Sequence, residues 1–171
     1  MVITVRVIQA SEWRLYKSLR LRALADAPDA FGSTWEQESL RADAHWQERL
    51  SLAASSGQDL PLFAIIEEAP VGLAWAKVDA AHSDNINLFQ MWVAPESRGH
   101  GAATQLLELA IQWARDKGAA RISLGVTCGD SPALRLYTKV GFIASGAPEP
   151  LREGSSLQAQ SMHLALRRGT A

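Results

Sequence analysis

Two short segments carry residues that could bind an anion and donate a proton. The first, Arg98-Gly99-His100-Gly101-Ala102-Ala103, lies between an apolar run and a stretch of helical period. Glycines there let the backbone approach a ligand closely, and the free N–H groups of a helix start favour negative charge. The segment has no Lys-Ser/Thr pair of the kind a nucleoside-triphosphate loop requires. Thr104 stands where the dinucleotide pattern needs its third glycine, and the gap from Val93 to Gly99 is too wide for that pattern's tight turn. The second segment, Ala133-Leu134-Arg135-Leu136-Tyr137-Thr138-Lys139-Val140-Gly141-Phe142, puts a phenol on a short helix ahead of a glycine stop. Tyr137 could donate a proton or a hydrogen bond. It also shares a face with Ala133, Leu136 and Val140, as a core residue would. His45, His82, His100 and His163 lack metal-ligand spacing, and Cys128 has no sequence neighbour that would activate it.

The elements that must position these residues can be read from periodicity. Residues 1–8 alternate as a strand, and 11–25 read as a helix with Ser11 placed to cap it. A loop over 27–34 leads to a helix over 36–54. Apolar runs at 62–66 and 71–78, joined through Glu67-Glu68-Ala69-Pro70, suggest a hairpin, and 86–93 reads as a strand. The helix over 102–117 repeats Ala103, Leu106, Leu107, Ala110, Trp113 and Ala114 on one face. Strands follow at 121–127, 142–145 and 160–166, with Ser131 and Pro132 opening the intervening helix. Hairpins first and interleaved helices later make a mixed sheet with helices on its faces.

The chain has 171 residues, 47% hydrophobic and 20% charged, enough for one self-sufficient domain spanning 1–171. The alternating start is unlike a signal peptide, no apolar run reaches membrane length, and a lone cysteine fits a reducing compartment. A cytoplasmic location is expected. The net charge of −1 argues against a nucleic-acid binder. Its distribution is uneven. Residues 26–96 hold twelve acids against three bases, a net of −9, while residues 97–171 are net +4.

Val93 to Ala103 resembles the acetyl-CoA loop of the GNAT superfamily of N-acetyltransferases, Arg/Gln-x-x-Gly-x-Gly/Ala, with Arg98, Gly101 and Ala103 at the defining positions. Residues 133–142 are similar to that family's second signature, Ala-x-x-Leu-Tyr-x-x-x-Gly-Phe, and 27–32 to the acceptor-side loop of some small-molecule members. The resemblance implies an α+β fold in α/β/α layers. Its mixed, mostly antiparallel sheet would have about six or seven strands, including a splayed pair, with helices on both faces. It implies acetyl-CoA as co-substrate, without a metal. Cofactor contacts would fall at Met91, Trp92, Val93, Arg98, Gly99, His100, Gly101, Ala102, Ala103, Asp130 and Tyr137. At Asp130 many relatives carry Asn.

In the same way, Tyr137 would be the general acid to the CoA thiolate, and Phe31 and Trp35 would lie at the acceptor. Protein N-terminal acetyltransferases tend to have Leu-Glu-Val-Arg where this chain has Leu124-Gly125-Val126-Thr127, so that Glu is missing here. Glu36, Glu38 and the Glu67-Glu68 pair are candidate bases by position, with relay through water as the other route. The implied activity is acetylation of a primary amine on a small molecule. A protein or peptide amine, and a non-catalytic acyl-CoA-binding module, stand as alternatives. The implied partners include neither nucleic acid nor membrane, and a homodimer is compatible. The acidic middle of the chain further suggests a cationic acceptor.

Overall fold

The apolar runs of the first half build an antiparallel half-sheet: β1 (Ile3–Val7), β2 (Asp59–Ile66), β3 (Ala69–Val78) and β4 (Asn85–Val93) lie side by side in that order. The second half contributes β5 (Arg121–Thr127) and β8 (Gln158–Ala165), with β6 (Ile143–Ala144) and β7 (Glu149–Pro150) both pairing with β8. The computed structural model describes residues 2–166. Its sheet has eight strands, in a mixed arrangement where β4 and β5 are parallel and the remaining pairs antiparallel. The two short strands account for the difference from six or seven; two-residue bridges carry too little alternation to show in a sequence.

Helices cover both faces. α1 (Trp13–Asp26) and α3 (Asp43–Ser56) pack on one, where the ring of Tyr16 meets Trp75 at 5.5 Å. α4 (Ala102–Asp116) packs on the other, where Leu106 lies against Gly72. Gly72 and Trp75 are an odd number of residues apart on β3, so their side chains point to opposite faces. α5 (Pro132–Val140) follows β5, capped by Ser131, whose hydroxyl oxygen accepts from the Leu134 N–H.

Two local expectations need correction. Ser11 does not cap the first helix. The chain enters it through a 3-10 turn at Ala10–Glu12, with the Glu12 carboxylate accepting from the Gln9 N–H. The helix expected over 36–54 is two helices, α2 (Trp35–Ser39) and α3, separated by an extended Ala42. Glu38 points inward from α2, where Arg41 and Arg49 both bond it, and closing that contact turns the chain.

Gly72 is where the sheet and α4 come closest. A Cβ there would sit 3.0 Å from the Trp92 carbonyl oxygen, 3.2 Å from the Ala64 Cβ and 3.3 Å from the Leu106 Cδ1. Gly72→Ala is expected to cost about 1–3 kcal/mol of stability through overpacking, measured by urea denaturation. An unchanged midpoint would show that α4 does not sit so tightly on β3.

Candidate active site

The site begins where the sheet stops pairing. β4 and β5 are in register only from Asn85 to Asn87 against Arg121 to Ser123. A polar clasp holds this closed end. The Ser123 hydroxyl donates to Asn85 Oδ1 at 2.6 Å, and the buried Asn85 amide donates to Asn87 and Asp79. Beyond it the strands part. β4 stays on β3 as far as Val93, while β5 stays on β8 as far as Thr127. The result is an opening inside the sheet whose walls are strand backbone with no ladder partner across the gap.

A bulge shapes the β4 wall. The register with β3 shifts between Leu73 and Trp75, and Gln90 adopts φ 61°. A non-glycine residue in that region is costly unless its surroundings hold it. The holder is Tyr16 of α1, whose hydroxyl donates to Gln90 Oε1 at 2.7 Å. Phe89, facing the α1 side opposite Trp75, is 49% exposed although it is an aromatic residue in a central strand.

Both helices that follow the diverging strands start at the open end. Between β4 and α4, Gly99 (φ 84°) and Gly101 (φ 88°) take the left-handed conformation that favours glycine. Among the described residues, no backbone carbonyl accepts from the N–H groups of residues 99–104, and the first such bond is Gln105 N–H to Gly101 O. These donors point at the positive end of a helix dipole, which makes an anion cradle. Arg98 does not reach into it. Its Nε donates to the Val93 carbonyl and its Nη2 to Asp26, which also accepts from the Trp92 indole N–H. Arg98 and Trp92 thus tie the loop and β4 to the end of α1, and Met91 is packed partly against the core. His100 is exposed.

Tyr137 lies on α5, buried, its ring 5.7 Å from that of Phe142. Burial pushes its hydroxyl well above the usual phenol range, so it is protonated at any physiological pH. Asp130 is exposed and accepts from Arg135 at 2.7 Å. On the α1 side, Phe31 is buried while Trp35, the first residue of α2 and not part of a loop, is 45% exposed. Glu36 is exposed in the same helix. Glu67 and Glu68 form the β2–β3 turn beside β1, away from the opening. The residues that sequence reading missed are Asn85, Gln90, Tyr16 and Asp26. An amide amid the apolar run 86–93 was the available signal for Gln90.

The acidic middle of the sequence is partly spent on internal pairing. Asp26 pairs with Arg98, Glu38 with Arg41 and Arg49, Asp43 with Lys17, and Glu96 with Arg22. Among the described residues no cluster could hold a metal ion, and no helix is long and apolar enough to cross a membrane.

The profile of the acetyltransferase (GNAT) family matches residues 20–142. Streptothricin acetyltransferase of Streptomyces lavendulae is 29% identical over 133 residues, covering 78% of this chain and 64% of that protein. Mycothiol acetyltransferase of Brachybacterium faecium is 29% identical over 137 residues, covering 79% and 39%. The chain therefore spans between about two fifths and two thirds of the length of these relatives. The structure of yncA from Salmonella typhimurium, solved with its cofactor acetyl-CoA, has the same fold, with a TM-score of 0.80 at 18% identity over 100% of this chain and 98% of that one.

The pairing of Glu38 can be tested by pH. Burial alone would raise its pKa, but the Arg41 hydrogen bond and the Arg49 charge outweigh burial and hold it below the ordinary range. A lowered folded pKa contributes stability that is present above the unfolded value and lost as pH falls through the folded one. Glu38→Gln should lower Tm at pH 7, and its gap from wild type should narrow below about pH 4. A gap that stays constant down to pH 3 would contradict the ion-pair role.

Proposed function

Because this chain belongs to the acetyltransferase (GNAT) family, we propose that it passes the acetyl group of acetyl-CoA to a primary amine of a small molecule. The observation that carries the reading is the opening between β4 and β5, with the unpartnered N–H groups of residues 99–104 at its mouth. Those donors suit a pyrophosphate, and the unpaired edge of β4 suits an extended amide-bearing arm that can add to a strand. Bound there, acetyl-CoA supplies an activated thioester. The backbone of residues 99–104 holds the phosphates, with Arg98 acting through the loop geometry that it fixes. The bulge at Gln90 leaves the β4 N–H groups of Met91 and Val93 to face the gap, where they polarise a carbonyl oxygen.

Tyr137 keeps its proton and offers it, as a hydrogen bond, to negative charge developing on sulfur. A thiol ionises near pH 8.5 in general. Complete transfer from a phenol raised above 10 is therefore uphill, and stabilisation by donation is the main contribution. With Glu38 held as a salt, the exposed Glu36, directly or through water, takes the proton that the amine loses. Gly125 on β5 places no carboxylate in the opening, which favours a small-molecule acceptor over a protein amine. The names of the streptothricin and mycothiol relatives support the same class. Cys128, exposed and free, is at home in a reducing cytoplasm.

Acetyl-CoA should raise Tm, because a ligand bound only by the folded state shifts unfolding. Gly101→Val, which forces a branched side chain into φ 88°, should weaken that shift at least tenfold in the concentration needed. Equal responses in the two proteins would remove the loop from the site. Tyr137→Phe keeps the ring and its packing and should lower kcat about 10²-fold or more, with little change in acetyl-CoA affinity. An unaltered kcat, measured by release of CoA thiol, would return Tyr137 to the core.

A further inference from the structure

A buried cation without an acceptor stands on the α1 side of this site. Arg20, in the middle of α1, is 4% exposed, and its Nε and Nη1 have no hydrogen-bond partner among the described residues. Its guanidinium lies over the ring of Phe31, 4.6 Å from the centroid. The nearby carboxylate does not hydrogen-bond it, although its charge favours the guanidinium. Glu38 gives one oxygen to Arg41 and the other to Arg49. Three guanidiniums therefore share one carboxylate, and Tyr16, raised in pKa by burial, is neutral. A buried charge in this state is strongly unfavourable unless something completes it, and an aromatic face compensates only in part.

Its location connects it to the acceptor. Arg20 is about one turn along α1 from Tyr16, whose hydroxyl holds the bulge of β4. Phe31 belongs to the loop after α1, which is fastened across the sheet by three hydrogen bonds. Thr127 at the end of β5 donates to Asp29 O at 2.6 Å, and Arg152 donates to the carbonyls of Pro28 and Phe31. The phosphate cradle is elsewhere. The loop that carries it is tied to Asp26, six residues and about 9 Å further along α1.

We infer that Arg20 binds a carboxylate of the acceptor, so that the substrate is a small amine which also carries a carboxylate, of the amino-acid type. This inference rests on the proposed acetyl transfer to a small amine. One unpaired guanidinium calls for one singly charged anion, and a carboxylate oxygen can accept from Nε or Nη1. The cationic acceptor suggested by charge counting is disfavoured at this position, because three guanidiniums gather here around one carboxylate.

The test compares kcat/KM for a panel of L-amino acids with that for their carboxamides, in wild type, Arg20→Met and Arg20→Lys. Wild type should prefer at least one acid over its carboxamide by about 10- to 100-fold. Arg20→Met should bring that ratio close to one, and Arg20→Lys should retain part of it. Without ligand, Arg20→Met should raise Tm by about 2–4 °C, since an apolar side chain of similar length replaces an unpaired buried charge. A structural arginine would instead lower Tm. Carboxamides used as well as acids, a ratio unmoved in Arg20→Met, or a lowered Tm would overturn the inference while leaving amine acetylation intact. No transfer to any amine, together with no Tm shift on adding acetyl-CoA, would overturn the proposed function itself.

Discussion

A sheet that stops pairing in its middle must do something with the backbone groups it leaves open. Here three residue pairs between β4 and β5 are followed by divergence, and each strand stays paired with its other neighbour. Left buried, the open edges would be costly, so the gap has to be filled by water or by a ligand with matching amides. Most of the specialised local structure serves this gap. The Asn85–Ser123 clasp fixes where it begins, the Gln90 bulge shapes one wall, and two helices begin at its mouth. Placing helix starts at the carboxyl ends of two parallel strands brings positive dipole ends and free N–H groups to one place.

The opening is braced from α1. Its Tyr16 holds the bulge, its Asp26 gathers Trp92 and Arg98, and its Arg22 pairs with Glu96 before the glycine loop. One helix therefore connects the Phe31 loop, the β4 wall and the glycine loop. That arrangement explains why Arg98, at a defining position of the loop, spends its side chain on the protein. Arg20 is the exception on this helix, with a buried Nε and Nη1 that no hydrogen bond among the described residues satisfies.

How much of this was legible in the sequence depended on range. Features set by neighbours a few residues apart were readable, such as the Ser131 cap, the glycines that open α4 and the amphipathic period of α4 itself. The family signatures supplied the splayed pair. Features set by contacts across the chain were not readable. Glu38 looked like a free acid until Arg41 and Arg49 closed on it, and the same contact broke an expected helix in two. Counting charges by segment overstates the acidity for the same reason, since Lys17, Arg22 and Arg98 fold onto Asp43, Glu96 and Asp26. Gln90 and Tyr16, seventy-four residues apart, acquire meaning only as a pair.

The central claim is that the N–H groups of residues 99–104, together with the open edge of β4, receive acetyl-CoA. Amide NMR on the isotope-labelled protein tests it directly, by following chemical shifts and hydrogen exchange during titration with acetyl-CoA. The account predicts that amides of Gly99 to Thr104 and the gap-facing amides of Met91 and Val93 shift and become protected, while those of β1 and β2 stay unmoved. Saturable binding that leaves the 99–104 amides unshifted and exchanging freely would contradict it.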